Sequence, residues 1–263
     1  QNTENVEKNR EDENVIEKAA YFGYDLSGDC FVCNIDIDNF REYIDDKKIK
    51  DTFRKNEIKN YCGKIIQDSL EDNNLKVPII HKDDSVIILC KSDKINNRKL
   101  ENALTEIKAL IKSHIEGMTV SIGIGNTYSN LSMMKNSLKE SEWALNTIKI
   151  KGLKDETIRY KDIGVYSLLF NINNKEVLEE YYKSTLGSII EYDKINDSDL
   201  TGTLETYLEK NCNVTITAEA LFIHRNTLKY RLRKIEELLN CDLHNFKHCS
   251  NLKIAFDSKK III

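Results

Sequence analysis

Apolar residues recur along this chain with two different periods. Cys30-Phe31-Val32-Cys33-Asn34-Ile35-Asp36-Ile37-Asp38 is β-rich and alternates toward its end, which predicts a strand. Val77–Ile80 and Val86–Leu89 flank the polar His81-Lys82-Asp83-Asp84-Ser85, which predicts strand, turn, strand. Thr119–Gly125 and Thr157–Tyr160 read as two more strands. Between them the spacing turns helical. Residues 39–73 carry Phe53, Ile58, Tyr61, Ile65 and Ile66 on a helical rhythm, residues 98–115 carry Leu100, Leu104, Ile107, Leu110 and Ile111, and residues 130–149 are helical again. Residues 15–22 predict a short helix with Gly23 as its C-cap. The polar residues 1–14 before it read as a frayed tail or as the end of an inter-domain helix. Strands alternate with helices, but one pair forms a hairpin, so the sheet is expected to be mixed.

From about residue 164 the pattern is helical only. The polar stretch Glu191–Asp199 reads as a linker. Beyond it, Leu200, Leu204, Tyr207 and Leu208 fall on one helical face. Thr215 is expected to cap a short helix, with Val214 outside it and Ala218 and Leu221 facing inward. A tight turn at Phe222-Ile223 leads to the segment His224–Ile235. At about 3.6 residues per turn, Leu228, Leu232, Ile235 and Leu239 share one face. Asn226, Tyr230 and Arg233 lie close to the opposite face, flanked by Thr227, Lys229 and Lys234. The whole chain is α+β: a mixed-sheet α/β sandwich followed by an all-α region.

Composition refines this picture. With 263 residues, 40% hydrophobic and 31% charged, the chain can bury a real core. No apolar run approaches the roughly 20 residues of a membrane span, so no membrane partner is expected. Seven cysteines, odd in number and loosely spaced, suit reduced thiols and a cytoplasmic protein. The net charge of -4 argues against a protein that coats nucleic acid generally. The charge is unevenly placed, however: residues 200–263 carry ten Lys/Arg against seven Asp/Glu, and the body before them is acidic. That division suggests two functions in one chain. The chain opens on Gln1 rather than Met, and so reads as part of something longer or as a processed product.

The candidate chemistry lies in three places. Residues 225–234 hold five basic residues and no acidic one, opposite an apolar stripe. Arg can read guanine with two bonds, Asn can read adenine, and Lys and Tyr can hold phosphates, so this face suits a major groove. Asp36 and Asp38 stand two apart at a strand end, and Asp83 and Asp84 stand in the hairpin turn. Carboxylates from adjacent strands can hold Mg²⁺ and a triphosphate. The cysteines and histidines give weaker signals. Cys30-x-x-Cys33 has redox-motif spacing, but in a strand its side chains point to opposite faces. Cys241, His244, His248 and Cys249 do not have the spacing of a standard zinc finger. His81 and His114 read as surface or boundary residues, and Trp143 as core or interface. Gly123-x-Gly125 is too short for a dinucleotide fingerprint.

The run from Asn213-Val214-Thr215 through Ala218-Glu219-Ala220-Leu221-Phe222-Ile223-His224-Arg225-Asn226-Thr227-Leu228-Lys229-Tyr230-Arg231-Leu232 to Ile235-Glu236-Glu237-Leu238 closely resembles the C-terminal helix-turn-helix of the PucR family, which includes the sugar-diacid-utilisation regulators. The usual glycine of the turn is Phe222 here. The resemblance implies a transcriptional regulator on double-stranded operator DNA, usually a homodimer or higher homo-oligomer. The helix beginning near His224 is then expected to enter the major groove, with Arg225, Asn226, Tyr230 and Arg233 nearest the bases. Thr227, Lys229 and Lys234, with Thr215 at the preceding helix, are expected to hold the DNA backbone.

The first half of the chain resembles the GGDEF, or diguanylate cyclase, fold. Ile35-Asp36-Ile37-Asp38-Asn39-Phe40 is similar to its first strand, and His81-Lys82-Asp83-Asp84-Ser85 stands at its signature turn. Val120–Gly125 and Ser141–Leu145 are similar to its later strand and helix. Asp36 matches a metal-ligand position, but His81 and Lys82 replace the two glycines that let a nucleotide approach. Ser85 replaces the closing Phe, and no Arg-x-x-Asp precedes the turn. The expectation is therefore a catalytically inactive domain for dimerisation or signal relay, with no cofactor and no catalytic residue. The alternative is a nucleotide-binding or nucleotide-cyclising signalling protein. The expected organisation is an N-terminal tail or connector helix over 1–20, a degenerate GGDEF-like domain over 21–163, a helical connector and linker over 164–198, and the helix-turn-helix domain over 199–263. The effector would be sensed by a domain absent from this chain.

Overall fold

The computed structural model describes residues 2–262, with side chains from residue 12 onward. The chain divides into two units between Ser167 and Leu168. The first unit runs α1 (Asn2–Tyr21), β1 (Cys30–Ile37), α2 (Phe40–Asp46), α3 (Thr52–Asp72), β2 (Ile79–Lys82), β3 (Ser85–Lys91), α4 (Lys94–His114), β4 (Val120–Ile124), α5 (Met134–Ile150) and β5 (Thr157–Arg159). The five strands form one mixed sheet in the order β2-β3-β1-β4-β5. All neighbours are antiparallel except β4 and β5, which are parallel.

The central strand β1 is buried along its whole length. Phe31, Cys33, Ile35 and Ile37 face one cluster with Ile65, Ile66 and Leu70 of α3 and Leu100, Leu104, Ile107 and Ile111 of α4. The apolar spacing of α3 and α4 is the helical rhythm of the sequence, and each helix starts where an aspartate can cap it. Asp51 accepts from the Phe53 N–H, and Asp93 accepts from Ile95 and Asn96. Helix α5 packs against β1 and β4. Its approach is close because β4 carries glycine there. A Cβ on Gly123 would meet the Ser141 carbonyl oxygen, and one on Gly125 would meet that of Ser137. Buried polar groups then fix α5. The Val32 N–H donates to Ser137 Oγ at 2.9 Å, and Ser137 Oγ donates to the Asn126 carbonyl at 2.8 Å. Glu140 accepts from the Asn126 N–H and from the Tyr128 hydroxyl at 2.7 Å.

Of the two readings of the polar N-terminal stretch, a frayed tail or the end of a helix, the helix holds: α1 is helical from Asn2. It ends as expected at Gly23, with φ +80°, and the Tyr24 N–H reaches back to the Ala19 carbonyl. The helical rhythm of residues 39–73 is two helices, because Lys48 takes φ +54° between α2 and α3. The hairpin loop is only Asp83-Asp84: His81 pairs with Val86 and Lys82 with Ser85, so both belong to β2.

The second unit is helical. A short α6 (Tyr166–Phe170) lies across the division, followed by α7 (Lys175–Asn196), α8 (Leu200–Glu209), α9 (Val214–Ala220), α10 (Arg225–Leu239) and α11 (Phe246–Ile262). Leu186, Ile189, Leu204, Tyr207, Leu228, Leu232, Ile235, Leu252, Ala255 and Phe256 form its core. The stretch expected as a linker is mostly the last turns of α7. Its polarity hides two inward positions. Tyr192 packs on the core, and Asp193 gathers the start of α8. Its carboxylate accepts from the Ser198 hydroxyl, the Leu200 N–H, and the Thr201 N–H and hydroxyl, at 2.6–2.8 Å. Among the described residues no helix is long and apolar enough to cross a membrane.

Two substitutions test this packing. Gly123→Ala should lower the unfolding free energy of the first unit by about 1–3 kcal/mol in urea titration, because backbone must move to admit the methyl. An unchanged midpoint would mean that α5 does not sit this close. At Asp193, burial alone would raise the carboxyl, but the Ser198, Leu200 and Thr201 hydrogen bonds outweigh it and hold the group below its ordinary value of 3.8. A depressed carboxyl stabilises the fold above its unfolded value and loses that effect as pH falls through the folded one. Asp193→Ala should therefore cost about 1 kcal/mol near pH 7, a cap-sized effect partly screened by solvent. The gap between the two proteins should close as the pH falls below that ordinary value, read by thermal melts across pH.

Candidate nucleic-acid interface

Helices α9 and α10 meet through a left-handed turn. Asn213, in an extended conformation, caps α9 by accepting from the Thr215 and Ile216 N–H groups at 3.0 and 3.1 Å. This corrects the expected cap: Thr215 is the second helical residue, and Val214 lies inside the helix. Asn at this place was the available signal, since its short carboxamide is among the best N-caps. Ala218 is buried, as a close approach of the two helices needs. The helix closes through an Ile223 N–H bond to the Ala218 carbonyl at 3.0 Å. Phe222 takes φ +54° in this turn and is 95% exposed, at the place where a helix-turn-helix commonly has glycine. His224 then caps α10, its Nδ1 accepting from the Asn226 N–H at 3.2 Å.

Helix α10 buries Leu228, Leu232 and Ile235. His224, Arg225, Asn226, Thr227, Lys229, Tyr230 and Arg233 are exposed. Asn226, Tyr230 and Arg233 recur at helical spacing on the outward side, and Arg225 and Lys229 stand beside them. Thr215 is half-buried on α9. Two basic residues of the run, both half-buried, have partners within the protein. Arg231 turns inward, donating from Nη1 to Thr203 Oγ1 at 2.9 Å. Lys234 is half-buried, 3.2 Å from Glu237 Oε2, with its Nζ over the Tyr192 ring.

The cleft beside the β2–β3 hairpin contains the carboxylates singled out in the sequence. It encloses about 210 Å³ between β1, the hairpin and α5. Asp36 is buried there, accepting from Ser85 Oγ at 2.7 Å and pairing with Lys149 Nζ at 2.7 Å. Asp38 is engaged elsewhere, accepting from Thr119 Oγ1 and the Asp155 N–H at 2.7 and 2.8 Å. Asp36 and Asp38 thus have separate partners within the protein. Among the described residues no three His, Cys, Asp or Glu side chains come together as a metal site. That includes the Cys241, His244, His248 and Cys249 set: His248 Nδ1 accepts from the Asp242 N–H, and Cys249 Sγ donates to the Leu243 carbonyl. Cys30 and Cys33 are both fully buried in β1.

Comparison with known proteins places both units. Residues 200–257 match the PucR C-terminal helix-turn-helix domain, and residues 7–147 match a GGDEF-like domain. The proline-responsive transcriptional activator PutR of Bacillus subtilis is 30% identical over 72% of this chain and 48% of its own length. The DNA-binding transcriptional activator AdeR of the same organism is 29% identical over 62% of this chain and 39% of its own. Its purine catabolism regulatory protein is 32% identical over 62% of this chain and 29% of its own. The chain thus spans about half or less of the curated relatives it matches. With a GGDEF-like mixed-sheet unit leading to this capped helix pair, the chain belongs to the PucR family of transcriptional regulators and carries the family's C-terminal helix-turn-helix DNA-binding domain.

Proposed function

We propose that this chain reads one operator sequence as a homodimer or higher homo-oligomer, by laying the exposed face of α10 in the major groove. The observation that carries this reading is that face itself: Arg225, Asn226, Tyr230 and Arg233 stand free of the core while Leu228, Leu232 and Ile235 anchor the helix from behind. Asn226 and the two arginines have the donor geometry for base edges. Thr227 and Lys229, with Thr215 at the start of α9, fit phosphate contacts, and Lys234 joins them where its Glu237 pair yields. His224 orients the first turn. In this reading residues 199–263 work as the DNA-binding domain and 164–198 as a connector, and the chain acts in the cytoplasm, where its target lies. The effector would act through a domain outside this chain.

We further infer that residues 21–163 work in dimerisation or relay and carry out no catalysis. The support is Asp36, whose charge is matched by Lys149 from α5, so the chain's own ammonium supplies the cation at that carboxylate. The side chains of His81 and Lys82 stand where the family resemblance would need glycine.

Selection of genomic fragments by the purified chain should enrich one short, palindromic site, bound with an affinity that falls steeply with salt. Asn226→Ala or Arg233→Ala should each weaken that site by about tenfold or more, and a random duplex far less. Equal losses on both duplexes would remove these residues from base reading. Incubation with GTP and magnesium should release no diphosphate, and Lys149→Met should destabilise the first unit by about 1–3 kcal/mol, leaving a buried carboxylate unmatched. Turnover of GTP would overturn the inactive assignment.

A further inference from the structure

Three cysteines of the second unit, Cys212, Cys241 and Cys249, are half-buried rather than sealed in the core. Two of them face each other. Cys212 Sγ lies 3.8 Å from Cys249 Sγ, close to van der Waals contact and about 2 Å longer than a disulfide bond. Cys212 sits in the turn between α8 and α9, at φ +58°, immediately before the Asn213 cap. Cys249 sits in the first turn of α11 and donates to the Leu243 carbonyl at 3.1 Å. The segment between them holds all of α9 and α10, and with them the whole face described above. The cysteines of the first unit do not compete: Cys30, Cys33, Cys62 and Cys90 are buried.

We propose that Cys212 and Cys249 are a modification site, forming a reversible disulfide that staples the two flanks of the helix-turn-helix together. The oxidant is a hydroperoxide. The Cys212 thiolate attacks the peroxide oxygen, giving a sulfenic acid and releasing an alcohol or water. Cys249 sulfur then attacks Cys212 sulfur. The S–S bond forms, hydroxide leaves, and it takes up the Cys249 proton as water. Burial, with the neighbouring Cys212 adding to it, pushes the Cys249 thiol up to about 12, so it stays protonated and is not the sulfur that meets the peroxide; its attack on the sulfenic acid rests on the 3.8 Å approach of the two sulfurs. A thiol or dithiol reductant reverses the bond by exchange.

The test uses the full chain treated with hydrogen peroxide, denatured and alkylated. Its intact mass should show two thiols protected, a loss of about 2 Da before alkylation, and peptide mapping should join the Cys212 and Cys249 peptides. Cys212→Ser or Cys249→Ser should abolish the loss, and Cys241→Ser should retain it. Calorimetry should show the melting transition of the second unit raised by about 5–15 °C on oxidation and restored by dithiothreitol, because the bond closes a long loop. No protected pair in the unsubstituted chain, a link through Cys241, or an unmoved transition would each overturn the proposal.

Discussion

Strand β1 is buried along its whole length, and much of the first unit follows from that constraint. With α3 and α4 on one face and α5 on the other, every residue from Cys30 to Ile37 has to be satisfied from inside. The apolar ones are accommodated by the core. Asp36 is different, since a carboxylate in such a place is stable only when its charge is matched and its oxygens are hydrogen-bonded. Ser85 from the neighbouring strand and Lys149 from the last turn of α5 do both. The same pair ties the hairpin, the central strand and the helix to one another. Asp36 lines the cleft beside the hairpin and at the same time holds that frame together.

The second unit solves a different problem. A short helix such as α9 has too few residues to be stable alone, so its ends must be fixed by side chains and by its neighbours. Asn213 fixes its start, and the turn at Phe222 fixes its end. His224 begins the next helix without a gap. Asp193 does the same service one helix earlier, binding the end of α7 to the start of α8. The interhelical angle is thereby set by caps and turns as much as by the apolar core, and the outward face of α10 needs no contribution of its own to stay in place.

Much of this was legible in the sequence. The strands and the inward stripe of α10 follow from periods of two and 3.6, which do not depend on knowing the tertiary neighbours. The elements that were misread are those where a single side chain decides. Residues 191–196 look like a linker by composition, and become helix because Tyr192 and Asp193 have partners far along the chain. Thr215 and Asn213 are both good caps, and only the backbone tells which of them stands before the helix. The hairpin turn shrank to two residues because strand pairing extends to Lys82 and Ser85, a register that local polarity does not report. For the interface, the sequence gives the charges and the face, while the partners of each charge belong to the fold.

Arg231 and Lys234 show what that difference means for any polyanion that meets the helix. The run from Arg225 to Lys234 spells five positive charges. One is a strut to Thr203, and another is held by Glu237 beside the Tyr192 ring. Arg225, Lys229 and Arg233 are the exposed ones. A hydroxyl does not neutralise the Arg231 guanidinium, so the charge of the run persists; what the fold changes is that two of its five cations are already engaged within the protein, and only three are free to reorient toward a polyanion.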